Sequence, residues 1–232
     1  MPGQTRGVVF DMDDTLYLER DYVRSGFYAV AEQLPDSGRA FSRLWEWFET
    51  GVRGDTFDRL LKAEPQWAKR VTTAELVDIY RSHRPQIELL SPAAKLLSKL
   101  QTVGISTGVL TDGPESAQRA KVDALGLKHR ADKVLMTDTL GREHWKPSEA
   151  GYIWMEEQLG LSAQQLVYIG DNPLKDFIAP NRRGWATVRL RLRGQLRCNI
   201  ESTTVESAAA HEVLSWEELN SWMWRWLRCE TN

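Results

Sequence analysis

Cysteine is scarce in this sequence of 232 residues: Cys198 and Cys229 are the only two. They are too few and too isolated for a disulfide framework and read as free thiols, and no Cys/His cluster has zinc spacing. Long apolar runs are also missing. Nothing reaches the length of a bilayer span, and Met1 to Arg6 lacks the apolar core of a signal peptide, so a cytoplasmic protein with no membrane partner is expected. Nor is there an excess of one charge. Thirty Lys and Arg against 32 Asp and Glu give a net charge of -2, which supplies no basic field for nucleic acid. Internal repeats and low-complexity tracts are absent. What remains is 42% hydrophobic and 27% charged, the composition of an ordinary soluble domain or pair of domains, with a high count of 10 Trp.

One stretch stands out: Val8-Val9-Phe10-Asp11-Met12-Asp13-Asp14-Thr15-Leu16. A short run rich in β-branched residues predicts a buried strand, and it stops abruptly in three carboxylates and a hydroxyl. Open α/β sheets display reactive groups outside the carboxyl ends of their strands. Three acids within four residues repel one another unless a cation holds them, and hard oxygen ligands favour Mg²⁺. Asp11 and Asp13 are two apart and point the same way on extended chain, so one can act as nucleophile and the other as acid and base. Taken alone, the stretch serves equally as an acidic turn with Asp14 or Thr15 capping the next helix.

From 17 to 84 the pattern is helical. Asp21 to Leu34 carries apolar residues at helical spacing, Phe41 to Phe48 and Phe57 to Leu61 mark two more helices, and Thr72-Thr73-Ala74-Glu75 caps a fourth. This insert predicts a small bundle of its own. After Pro85 helices and strands alternate, which predicts a parallel sheet with helices on both faces. The strands are Ser106 to Leu110, Lys133 to Met136, Leu166 to Ile169 and Ala186 to Leu190. Past Gly194 the signal weakens until a helix from Trp216 to Leu227, with Leu219, Trp222, Met223, Trp226 and Leu227 on one face and Trp216 and Trp224 elsewhere. The expected organisation is an α/β Rossmann-like core from 1–16 and 85–200, a helical domain at 17–84, and a segment at 201–232 whose Trp-rich helix packs on the core.

Each of the first four strands ends in polar chemistry: Asp11 and Asp13, Thr111, Lys146 in the loop after the third, and Asp171 with Asp176 after the fourth. Asp-x-Asp-x-Thr, a strand-end Thr, Lys-Pro and Gly-Asp followed by a second Asp, in that order, resemble the haloacid dehalogenase superfamily of phosphohydrolases. The resemblance covers about residues 7 to 191 and includes a helical cap inserted after the first strand. It implies a sheet order of 5-4-1-2-3 and Mg²⁺ as cofactor.

The resemblance also implies roles. Asp11 would be the nucleophile, and Asp13 the acid and base. Mg²⁺ would be held by Asp11, the carbonyl of Asp13 and Asp171, with Asp176 orienting the metal shell or Lys146. Thr111, backbone N–H groups around Asp112, and Lys146 would bind the phosphoryl group of a small phosphorylated metabolite, a sugar phosphate or nucleotide. A phosphomutase and a metal-free dehalogenase share this core, although Asp13 argues against the latter because halide leaves without a proton. A phosphoacceptor signalling module carries its acceptor after the third strand, not the first. Arg20 and Arg24 share a helix face just beyond the acidic stretch, suiting either a second anion on the substrate or surface ion pairs with Glu19 or Asp21. His144 and Trp145, beside Lys146, read as loop packing, with a substrate contact as the alternative.

Overall fold

The computed structural model describes residues 5–228, and they form two compact units. One runs through Glu19 and resumes at Glu88; the other is Arg20–Ile87. In chain order, β1 (Gly7–Phe10) leads to α1 (Glu19–Ala31), α2 (Ser37–Glu49), α3 (Thr56–Ala63) and α4 (Thr73–Ser82). Then come α5 (Ser91–Thr102), β2 (Ser106–Thr111), α6 (Glu115–Ala124), β3 (Lys133–Met136) and α7 (Ala150–Leu159). β4 (Leu166–Gly170), α8 (Ile178–Arg183), β5 (Ala186–Leu190), β6 (His211–Val213) and α9 (Trp216–Arg228) complete the order.

All strands pair in parallel, in the order β3-β2-β1-β4-β5-β6. Five of them follow the expected 5-4-1-2-3. The sixth, β6, corrects that expectation by extending the sheet beyond β5. It is three residues long with two of them exposed, so it carries no alternating pattern that a sequence reading could detect. β1 is buried along its whole length because it is covered on both faces and paired on both edges. Two glycines permit close packing of α7 on β2. A Cβ at Gly108 would come within 2.8 Å of Met155 Sδ, and one at Gly151 within 2.7 Å of Leu110 Cδ1.

α9 packs against α5 and β6 through Trp216, Leu219 and Met223, all buried. Here the expected stripe is corrected. Trp216, three residues before Leu219, is buried with it, while Trp222 and Trp226 on the same side are only half-buried, stacked at 6.1 Å. Among the described residues no helix is long and apolar enough to cross a membrane. Cys198 is free; Cys229 lies outside the described residues.

In the helical unit, Thr72 and Glu75 form the reciprocal capping box at the start of α4. Phe27, Phe48, Phe57 and Tyr80 meet edge-on or tilted around its core. Glu64 is buried there and is compensated by Arg39 and Arg43 at 2.6 and 2.7 Å.

Candidate active site

The four polar strand ends converge on one rim because β1, β2, β3 and β4 are parallel neighbours. Asp11 follows β1 directly, and its N–H continues the ladder to Ile169 O at 2.8 Å. Its carboxylate is 2% exposed and receives a hydrogen bond from Lys146 Nζ. The same ammonium donates to Asp176 Oδ1 at 2.8 Å and Tyr168 Oη at 2.9 Å, so all three of its hydrogens are used. Burial pushes the Asp11 carboxyl up to about 7, with Lys146 opposing that rise. Burial disfavours a charged Lys146, but Asp11 and Asp176 outweigh it and hold the ammonium well above its ordinary value.

Asp171 stands at the end of β4, and its Oδ2 is buried with no hydrogen-bond partner. Burial first, then Asp176 and Asp11, push its carboxyl well above the ordinary range. Oxygens of Asp11, Asp171 and Asp176 all lie within 4.8 Å of one another. An orphaned carboxylate oxygen facing two further carboxylates is the donor set of a hard divalent cation, and these residues fit Mg²⁺. Asp176 has a second task, since its Oδ2 accepts from the Asn172 N–H at 2.9 Å and fixes the loop that carries Asp171.

Asp13 has a separate setting. Its carboxylate is not among that group of three; it accepts from Lys121 Nζ at 2.8 Å, Gln118 Nε2 at 2.9 Å and Tyr17 Oη. Burial works to raise its pKa, but the Lys121 charge and these hydrogen bonds win and bring it to about 2. Thr111 is buried at the end of β2, and its Oγ1 accepts from Gln118 Nε2 at 2.6 Å, leaving its own hydrogen to donate. The Asp112 carboxylate braces the neighbouring loops: Oδ1 accepts from Thr137 Oγ1 at 2.7 Å and from Lys146 N at 3.1 Å, and Oδ2 faces Lys175 Nζ at 3.3 Å. Burial opposes ionisation of Asp112, yet Lys146 and Lys175 keep its pKa lowered. Trp145 packs into the loop by donating to Asp138 Oδ1 at 3.0 Å, and His144 is half-buried beside Glu143.

Arg20 and Arg24 belong to the helical unit. Arg20 is ion-paired with Glu49, neither of the acids expected from sequence, and both guanidiniums lie over Trp45 at 5.5 and 5.9 Å. Several groups escaped the sequence reading. Tyr17, Gln118, Lys121 and Lys175 are single polar residues without a motif; the one available signal was that Gln118 and Lys121, three apart, share a face of the helix after Thr111. Asp14 caps the start of α1, as one of the two sequence readings has it, and does more. It is fully buried with φ +54°, and its oxygens accept the N–H groups of Glu19 and Leu196, each at 2.7 Å.

Residues 5–182 match the family model of the haloacid dehalogenase-like hydrolases. A glyceraldehyde 3-phosphate phosphatase of Methanocaldococcus jannaschii is 28% identical, covering 83% of this chain and 87% of that protein. A ribulose-1,5-bisphosphate 5-phosphatase of Halopiger xanaduensis is 27% identical, over 78% and 82%. A phosphoglycolate phosphatase of Yersinia pestis is also 27% identical, over 80% of each. Among solved structures, a HAD family hydrolase of Deinococcus radiodurans with bound phosphate and sodium has a similar fold. Its TM-score is 0.67 at 18% identity, and the match covers 98% of this chain and 99% of that one. With the motif residues gathered on one rim and most of the chain matching a single family model, the protein belongs to the haloacid dehalogenase-like hydrolases.

Proposed function

We propose that this protein hydrolyses a small phosphate monoester through an aspartyl phosphate on Asp11. The observation that carries the reading is the contrast between two carboxylates two residues apart. Asp11 shares a buried pocket of charge with Lys146, Asp171 and Asp176, while Asp13 is turned to a donor set of its own. Such divided environments separate a nucleophile from an acid and base. Asp11, Asp171 and the carbonyl of Asp13 would hold Mg²⁺, which supplies positive charge against the repulsion between a carboxylate and a phosphate ester.

In the first displacement an Asp11 oxygen bonds to phosphorus and the ester oxygen departs, taking a proton from Asp13. Asp13 is ionised at rest, and an ester in its monoanionic form brings the proton that it relays. In the second, water bonds to phosphorus, the Asp11 oxygen leaves, and Asp13 accepts the water's proton. The Thr111 hydroxyl holds a phosphoryl oxygen throughout, Lys146 turns the hydrogen it gives Asp11 at rest to another, and N–H groups near Asp112 assist. The relatives named above act on short phosphorylated aldehydes, acids and sugars, and we propose a substrate of that class. Arg20 and Arg24 are proposed to meet a second anion on it, for which the Arg20–Glu49 pair has to open.

A screen of phosphorylated three- to five-carbon metabolites with Mg²⁺ tests the function. Asp11→Asn keeps the shape and removes the nucleophile, so activity should fall by at least about 1000-fold with no loss of fold. Retained activity in that variant would overturn the aspartyl-phosphate route.

A further inference from the structure

The residues that hold Asp13 come from the helix that begins just past the phosphoryl-binding Thr111. Gln118 and Lys121 lie on one face of α6, 2% and 6% exposed. Gln118 uses both hydrogens of its amide, one on Asp13 Oδ2 at 2.9 Å and one on Thr111 Oγ1 at 2.6 Å. Lys121 and Tyr17 both donate to the other Asp13 oxygen, Oδ1. Gly113 allows this close approach. Its φ is +136°, and a Cβ there would press to within 3.1 Å of Gln118 Cδ. α6 is itself fixed at its start, where Glu115 N donates to Asp138 Oδ2 at 2.8 Å.

We infer that Gln118 and Lys121 are positioning residues for proton transfer: they set where the Asp13 carboxyl stands relative to a phosphoryl group bound at Thr111. The inference rests on the acid and base role proposed for Asp13. The physical reason is the steep dependence of proton transfer on placement. A general acid has to lie within hydrogen-bond reach of the oxygen it serves, and an error of about 1 Å costs about 100-fold in rate. Asp13 follows the strand on a turn, and with both oxygens gripped it keeps one rotamer. Because one amide touches both Asp13 and Thr111, acid and phosphoryl group are registered against the same rigid helix.

The test compares two leaving groups. An alkyl phosphate needs a proton on its departing oxygen, whereas nitrophenolate leaves without one. Gln118→Leu deletes both amide bonds at similar volume, and single-turnover phosphoenzyme formation is measured with each ester. The expected result is a loss of about 30-fold on the alkyl ester and less than about 3-fold on nitrophenyl phosphate, with KM within about 3-fold. Lys121→Met should discriminate in the same direction, and Lys121→Arg should restore most of the rate. In an Asp13→Asn background either change should add less than about 2-fold, because the group being positioned is gone. Equal losses on both esters, or a full loss persisting in the Asp13→Asn background, would overturn the inference and leave the role of Asp13 standing. If Asp13→Asn itself fails to discriminate between the esters, both readings fall. Should Lys121→Met not fold, Gln118→Leu decides alone.

Discussion

Lys146 Nζ lies 2.8 Å from Asp176 Oδ1, and both side chains are excluded from solvent. The loop after β3 is thereby tied to the loop after β4 directly beneath Asp11, with the same ammonium as the shared partner.

Removing that ammonium should leave a buried group of acids uncompensated. Lys146→Met is expected to destabilise the metal-free protein by about 3 kcal/mol, the scale of a buried pair stripped of one partner. The loss should be larger at pH 8 than at pH 5, because protonation relieves the repulsion. Urea unfolding at the two pH values checks this; equal losses would mean that Lys146 contributes packing and not charge.

Metal binding should be linked to protons. Asp11 is pushed up to about 7 and Asp171 is raised well above its ordinary value by burial, so at mildly acidic pH the cation has to displace protons from them. The expected outcome is Mg²⁺ affinity that rises between pH 5.5 and 7.5 by up to about tenfold per pH unit for each proton released. Calorimetry in buffers of different ionisation enthalpy reads the proton count. An affinity that does not change over this range would contradict the buried geometry of the site.

Asp14 should oppose stability as it ionises. Burial, followed by the Glu19 charge, pushes its carboxyl up to about 7 from 3.8. The folded state therefore binds a proton that the unfolded state has lost, and the Asp14 contribution is greatest below about pH 4. It declines as pH rises through 7, by at most about 4 kcal/mol at 1.36 kcal/mol per unit. Asp14→Asn should flatten the stability profile between pH 4 and 7 relative to the parent, whatever it costs in absolute terms. Parallel profiles would show that Asp14 ionises in both states alike.

The fold was legible because its signals are local. Lys133–Met136 and Ala186–Leu190 are short stretches holding Val and Leu between turn-forming segments, and Thr72 with Glu75 advertises a helix start within four residues. The side chains that end the strands were legible too, since Asp11, Thr111 and Asp171 adjoin runs that fix their direction. What stayed hidden depends on distant partners. Asp13 meets Lys121 across 108 residues and Asp14 meets Leu196 across 182, and nothing in the spacing of either pair foretells the meeting. The edge strand β6 is placed by pairing with β5 and not by its own composition.

The central place of β1 has a consequence for how the chain comes to be folded. β1 is made before every strand it pairs with: its neighbours β2 and β4 begin at Ser106 and Leu166, and the Asp14 carboxylate finds its second N–H donor only at Leu196. A growing chain thus carries an unpaired apolar strand ahead of the helical unit until β2 is made, and one with a free edge until β4 follows, a segment with affinity for any exposed sheet edge. The loop bearing Asp11, Asp13 and Asp14 reaches its final form only once Leu196 has been made, so a chain interrupted earlier holds the acids without the partners that make them a site.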